Sequence, residues 1–251
     1  MALSISDVKR GNTPKPPRVM VYGVHGIGKT SFAASAPNPI FIQSEDGLGT
    51  MESATFGLMS DFSQVMEAVG VLFNDEHEFQ TVVIDSLDWL EPMIWASVSK
   101  DNGWKDIETP GYGKGYAAAT DTWRMFLDGL NALRDERNMS VIMLAHSEIK
   151  RFDSPEHEPY DRYQPKLHAR ADALVQEHCD AVLFANYRIS TVKSDVGFNK
   201  KVTRAVGAGD RLLYTSERPA FLAKNRYDLP ENIALDWQSF AECVPYYQTK
   251  E

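Results

Sequence analysis

Residues 23–30 read GVHGIGKT, lying between an apolar stretch, VMVYG at 19–23, and a helix-forming one, KTSFAASA at 29–36, which Pro37 stops. The spacing of Gly23, Gly28, Lys29 and Thr30 fits the pattern G-x-x-x-x-G-K-[ST] in the strand, turn and helix context that the motif needs. Glycines allow backbone N–H groups to turn toward a phosphate chain, and the helix N-terminus adds partial positive charge at the same place. Gly23, Val24, His25, Gly26, Ile27, Gly28, Lys29, Thr30 and Ser31 are therefore expected to hold ATP or a related nucleotide. Lys29 should hold the β- and γ-phosphates, and the Thr30 hydroxyl should ligate Mg2+. The alternative is a chance Gly-rich turn. His25 is either a phosphate contact or a solvent-facing spacer.

Outward from the loop, PIFIQ (39–43), TVVID (81–85) and SVIMLAH (140–146) are short apolar runs expected as buried strands. Residues 62–73, 89–98 and 117–134 have apolar positions spaced for helices. Buried strands alternating with helices predict an α/β fold, a mostly parallel sheet flanked by helices. The last third (DAVLFANYRIS, NKKVTRAVGA, RLLYTS, PAFLAKN) is β-rich and punctuated by Gly, Asp and Pro, and antiparallel strands extending the sheet at the C-terminal side are its simplest reading. GNTPKPP at 11–17 blocks helix and strand alike, so the expected division is a flexible lead-in over 1–17, one domain over 18–245 and a tail over 246–251.

With 251 residues, 43% of them hydrophobic, the chain can bury one substantial core. A net charge of -9 excludes a protein that coats nucleic acid through overall positive charge, so any DNA contact must be regional. Two cysteines, Cys179 and Cys243, exclude a disulfide framework and a cysteine-based zinc site. With neither a signal-peptide stretch nor an 18-residue apolar run, the chain is expected to be cytoplasmic, with no membrane partner.

Asp85 ends the strand TVVID, where an open parallel sheet places its ligand crevice, and is the expected magnesium-side aspartate opposite Thr30. Asp88 reads as an N-cap for the following helix. Ser86 occupies the place where many phosphate-loop ATPases carry their catalytic Glu, so the base must come from elsewhere. Glu45, after PIFIQ, is the candidate, on the expectation that its strand runs beside the first; Asp46 is the runner-up and a solvated acidic turn the plain alternative.

The order GVHGIGKT, FIQSED, VVIDSL, VIMLAHSEIK, FLAKNRYDLP resembles the ATPase core of RecA-like recombinases over about residues 18–240. It is similar, more closely, to phage proteins with a reduced RecA-like core that act as single-strand annealing recombinases. The resemblance implies a RecA-like P-loop NTPase core and Glu45 as the water-activating glutamate. It places His146 where RecA has a γ-phosphate-sensing glutamine, from which His146 departs. It also implies that Lys224 and Arg226, flanking Asn225, reach a neighbouring subunit's ATP in a homo-oligomeric ring or filament; an exposed basic turn is the alternative.

Residues 99–118 (with Trp104, Tyr112, Lys114, Tyr116) and 147–170 (with Lys150, Arg151, Phe152, Tyr160, Arg162, Tyr163, Lys166, Arg170) resemble in position the DNA-facing loops of those recombinases, and rings interleaved with cations suit single-stranded DNA. Residues 186–226 are locally basic, with Arg188, Lys193, Lys200, Lys201, Arg204, Arg211, Arg218, Lys224 and Arg226 against Asp195, Asp210 and Glu217. The expectation is an ssDNA-stimulated, Mg2+-dependent ATPase that promotes annealing or strand pairing in the cytoplasm of a phage-infected host, with a single-strand DNA-binding protein as a further candidate partner. A small-molecule P-loop kinase and a nucleotide-gated module for a recombination partner remain the alternatives.

Overall fold

The computed structural model describes residues 4, 13–155, 158–188, 190–195, 201–206 and 209–248, with the backbone alone for 190–195 and 201–206. Strand β1 (Arg18–Gly23) explains its own apolar run: Val19 and Val21 enter one core, Met20 and Tyr22 another on the opposite face. A strand covered on both sides has no face for polar residues.

The chain continues through α1 (Lys29–Ala34), β2 (Pro39–Gln43), β3 (Ala54–Leu58), α2 (Phe62–Asn74), β4 (Thr81–Asp85), α3 (Leu87–Asp101) and α4 (Lys114–Glu136). Next come β5 (Ser140–Phe152), β6 (Tyr160–Pro165), α5 (Ala169–His178), β7 (Ala181–Tyr187), β8 (Ser190–Asp195) and β9 (Lys201–Val206). The last elements are β10 (Arg211–Tyr214), β11 (Lys224–Asn225), β12 (Asn232–Ala234), α6 (Trp237–Ala241) and α7 (Pro245–Gln248). The main sheet runs β12-β10-β7-β1-β5-β4-β2-β3. From β7 to β3 its pairings are parallel, and β10, β11 and β12 add antiparallel pairings at the C-terminal side, so the expected fold class holds.

One face is covered by α2, α3, α4 and α5. There Trp123 and Phe126 of α4 meet edge to face at 6.0 Å, and Phe126 meets Phe62 of α2 at 6.3 Å. The other face is covered by α1, α6 and α7 through Phe32, Trp237 and Phe240. Asp61 caps α2 by accepting from Gln64 N at 3.1 Å.

Four expectations need correction. Strand β2 does not lie beside β1 but beside β4, three places away. Strand β7 is not an antiparallel addition: it pairs parallel with β1, and its unbroken burial from Ala181 to Asn186 is what a central strand requires. Residues 99–118 are a shorter loop than expected, since α3 runs to Asp101 and α4 starts at Lys114, leaving 102–113 between them. Residues 147–170 are mostly a hairpin, because β5 continues to Phe152 and β6 pairs back on it from Glu148–Gln164 to Phe152–Tyr160. The edge strand β3 had no forecast; it is largely exposed, so its sequence lacks the apolar run that marks its neighbours.

At the start, Pro16 and Pro17 are buried, with Pro16 O accepting from Arg134 Nε at 2.6 Å and Pro17 O from Val141 N at 2.9 Å. At the end, Tyr246 is buried and the Tyr247 hydroxyl meets Ser140 Oγ at 2.7 Å. Residues 1–3 and 5–12 of the expected lead-in and 249–251 of the expected tail lie outside the described residues. No helix among the described residues is long and apolar enough to cross a membrane.

Gly23 ends β1 against β7, and a Cβ there would lie 2.2 Å from the Ala185 carbonyl oxygen. Gly23→Ala must push two central strands apart, and a stability loss of about 1–3 kcal/mol is expected from urea unfolding. An unchanged midpoint would refute the tight strand contact.

Candidate functional site

The turn after β1 has left-handed backbone at Gly26 (φ 70°) and Gly28 (φ 111°), a conformation that side chains with a Cβ disfavour. Lys29, at the first position of α1, is only 7% exposed, and its ammonium donates to Gly23 O and Val24 O, both at 3.1 Å. Burial lowers its pKa, while Asp88, Asp85 and Glu45 pull the other way. The side chain is thus folded back over the concavity of its own loop. Within 23–31 the Ile27 side chain is fully buried in the core behind α1 and anchors the loop.

Asp85 is 2% exposed at the end of β4 and accepts from Thr30 Oγ1 at 3.1 Å. Burial first, then the like charge of Glu45, pushes its pKa up to about 6. A carboxylate kept reluctantly charged beside a hydroxyl is an oxygen pair suited to Mg2+, whose charge would favour the ionised form. The residues present therefore fit the expected metal.

Glu45 reaches this cleft despite the distant place of β2. Ser44 N and Glu45 N both donate to Asp85 O, at 2.8 and 3.3 Å, turning the chain back over the end of β4. Glu45 Oε1 lies 3.9 Å from Nε2 of His146, which β5 delivers opposite Gly23 in register. A cleft of about 340 Å³ is lined by Gly26, Gly28, Lys29, Thr30, Ser31, Glu45, Asp46, Gly47, Met51, Asp85 and His146. The loop, the Thr30–Asp85 pair, the glutamate and the histidine expected from sequence thus share one space.

Three features of the site were not anticipated. Asp88 is not the N-cap of α3, a position that Ser86 holds. Its carboxylate instead accepts from the His146 backbone N–H at 3.0 Å and meets His146 Nδ1 at 2.9 Å. Burial alone would raise the Asp88 pKa, but these hydrogen bonds outweigh it and hold the group below its usual value. His25 is exposed as expected, yet its ring stacks on His146 at 3.9 Å. Arg211 of β10 donates from Nη1 to Ile27 O at 3.2 Å, on the flank of the loop, and a Cβ on Gly28 would come within 2.8 Å of that nitrogen. The pairs 88–146 and 27–211 are far apart in sequence, so no local pattern signals them.

Lys224 and Arg226 lie elsewhere. β11 pairs with the start of β7, which in turn pairs with the start of β1, at the sheet edge opposite the phosphate loop. Lys224 Nζ donates to Gln176 O at 2.6 Å, where α5 ends, and half-exposed Arg226 pairs with Asp180 at 3.5 Å. They are remote from the chain's own cleft.

The segments expected to face DNA are largely occupied. Tyr163 stacks on Phe184 at 5.1 Å, Tyr116 on His168 at 4.2 Å, and Trp104 packs against the core. Arg162 sits 4.0 Å over the Phe152 ring and pairs with Glu217 at 3.0 Å, while Lys150 pairs with Glu148 at 2.8 Å. Tyr112, Lys114, Arg151, Lys166 and Arg170 remain exposed. Of the basic segment, Arg218 pairs with Glu231 at 2.7 Å; Lys200 lies outside the described residues, as do the side chains of Lys193, Lys201 and Arg204.

Behind the cleft, Glu91 of α3 is 5% exposed and accepts from His168 N at 3.0 and 3.2 Å, tying α3 to the start of α5. Burial, against those hydrogen bonds, pushes its pKa up to about 7. A folded-state value above the unfolded one means that the native protein holds the extra proton, so this group's contribution falls as pH rises from about 4.5 toward 7. Glu91→Gln keeps an oxygen for His168 N. It should lessen the loss of stability between about pH 5 and pH 8 by a few kcal/mol at most, read from urea midpoints at the two pH values. An identical loss in both proteins would rule out a buried titrating Glu91.

No curated protein sequence matches the chain. The crystal structure of the RadB recombinase is similar in fold, with a TM-score of 0.44 and 16% identity over 85% of this chain and 87% of that one. A family model described as AAA domain matches residues 15–227, a span that holds the phosphate loop, Glu45, Asp85, Asp88, His146 and Arg211. With a phosphate-binding turn and an acid-lined cleft on a mostly parallel sheet, this chain is a nucleotide-binding P-loop protein and belongs to the AAA domain family.

Proposed function

We propose that the protein is a Mg2+-dependent ATPase that works on single-stranded DNA as a homo-oligomer, promoting annealing or strand pairing in recombination. The observation that carries the ATPase reading is the convergence of Glu45, His146, Lys29 and the Thr30–Asp85 pair on one cleft. Glu45 takes a proton from the attacking water, Lys29 leaves the Gly23 and Val24 carbonyls to hold the phosphates, and His146 faces the terminal phosphate. Magnesium, held by Thr30 and Asp85, would offset negative charge on the β- and γ-oxygens.

The oligomer reading rests on placement. Arg226 lies about five residues of strand, roughly 17 Å, from the loop end of β1, on a sheet edge from which it could reach only a neighbour's nucleotide. Arg226 is the better placed of the two cations, because Lys224 would have to leave the α5 carbonyls. For DNA, the exposed Arg151 and Lys166 of the β5–β6 hairpin and Tyr112 between α3 and α4 support a narrower surface than the sequence suggested. Because Lys166 N donates to His146 O at 2.8 Å, that hairpin begins at the cleft itself.

ATP turnover with and without an ssDNA oligonucleotide tests the reading. Wild type should be stimulated by DNA, and Lys29→Ala should lose turnover altogether. Glu45→Gln should retain nucleotide binding with a rate lowered by about 10²–10⁴-fold. A fully active Glu45→Gln eliminates Glu45 as the base; tight ATP binding without turnover in wild type would replace the enzyme with a nucleotide-gated module.

A further inference from the structure

His146 is held from two sides by one carboxylate. Asp88 Oδ1 takes the backbone N–H at 3.0 Å, and Oδ2 lies 2.9 Å from ring Nδ1. An ionised carboxylate only accepts hydrogen bonds, and the two bonds from His146 keep Asp88 ionised, so Nδ1 must carry the ring proton. In the neutral ring, Nε2 is then a bare lone pair, and it is this atom that points into the cleft, 3.9 Å from Glu45. A lone pair repels a phosphate oxygen, and only the imidazolium can donate to one.

We infer that Asp88 is a positioning residue which fixes His146 in this tautomer, so that His146 grips a terminal phosphate only as an imidazolium and binding of a nucleoside triphosphate, unlike a diphosphate, takes up a proton. The inference rests on the nucleotide reading of the cleft and goes beyond it by making terminal-phosphate recognition proton-linked. A glutamine at this place would donate an amide N–H at any pH, with no proton exchanged.

The charged groups facing the ring favour this assignment. From α3 comes Asp88, from the turn after β2 Glu45, from the end of β4 Asp85, and from the phosphate loop and α1 His25 and Lys29. Lys29, and the Mg2+ that Thr30 and Asp85 would hold, oppose a cation at His146, whereas Asp88, Glu45 and the arriving phosphate favour it. The pKa of His25 is lowered, first by His146 and then by burial, so His25 offers a neutral stacking face.

The test is calorimetric titration of the full chain with Mg2+ and either ATPγS or ADP, at about pH 8, where a free imidazole is mostly neutral. Repeating it in buffers of different ionisation enthalpy gives the protons exchanged. Wild type should take up as much as one proton more with ATPγS than with ADP. His146→Gln should bind both nucleotides with equal proton counts. Asp88→Asn, which removes the charge but keeps an oxygen for Nδ1–H, should move the uptake to lower pH, an effect that a purely structural role would not produce. Equal proton counts for the two nucleotides in wild type, or a difference that survives in His146→Gln, would overturn the inference alone; failure to bind either nucleotide would overturn the nucleotide reading with it.

Discussion

The insertion of β5 between β1 and β4 is the constraint on which the site depends. Parallel strands lie about 4.8 Å apart, so the strand in between can place one side chain beside the phosphate loop, and β5 places His146 there, in register with Gly23. Asp85 arrives one strand further, within hydrogen-bond reach of Thr30 in the first turn of α1. Glu45 starts yet another strand away, and it is the pair of backbone hydrogen bonds to Asp85 O that turns it inward. The side chains converge because β1, β4 and β2 end around the point where β5 passes through with His146.

Legibility from sequence follows locality. The phosphate loop, its flanking strand and helix, and α2, α3 and α4 are written in runs of contiguous residues, and they appear in the structure close to where those runs place them. Glu45 and Asp85 were legible as carboxylates at strand ends, although Glu45 was reached through a mistaken neighbour for β2. Asp88 was not, because an aspartate in the first turn of a helix has a sufficient local role, and nothing nearby announces a histidine 58 residues away. The β5–β6 hairpin was hidden by its composition: its polar and aromatic residues alternate without a buried face long enough to show a period.

The same hairpin shows how packing reassigns residues that look functional. Tyr163 and Arg162 read as a ring and a cation free for nucleic acid, but Phe184 and Glu217 already hold them. Near its root lie the buried acids Glu91 and Asp172, with pKa values of about 7 and about 6, each raised chiefly by burial. Asp172 Oδ1 has no hydrogen-bond partner among the described residues. Such groups reduce stability at neutral pH.

Arg211 on the flank of the phosphate loop has an evolutionary consequence. Its guanidinium stands within 2.8 Å of the place a Cβ on Gly28 would take, while bonding the carbonyl of the preceding residue. Positions 28 and 211 are therefore sterically tied across the whole length of the domain. A descendant that gained a side chain at 28 would have to shorten or redirect the one at 211, and would lose the bond to Ile27 in doing so. Since the left-handed backbone at Gly28 already disfavours any side chain there, the space stays open to Arg211, and the antiparallel margin of the sheet becomes part of the wall of the nucleotide site.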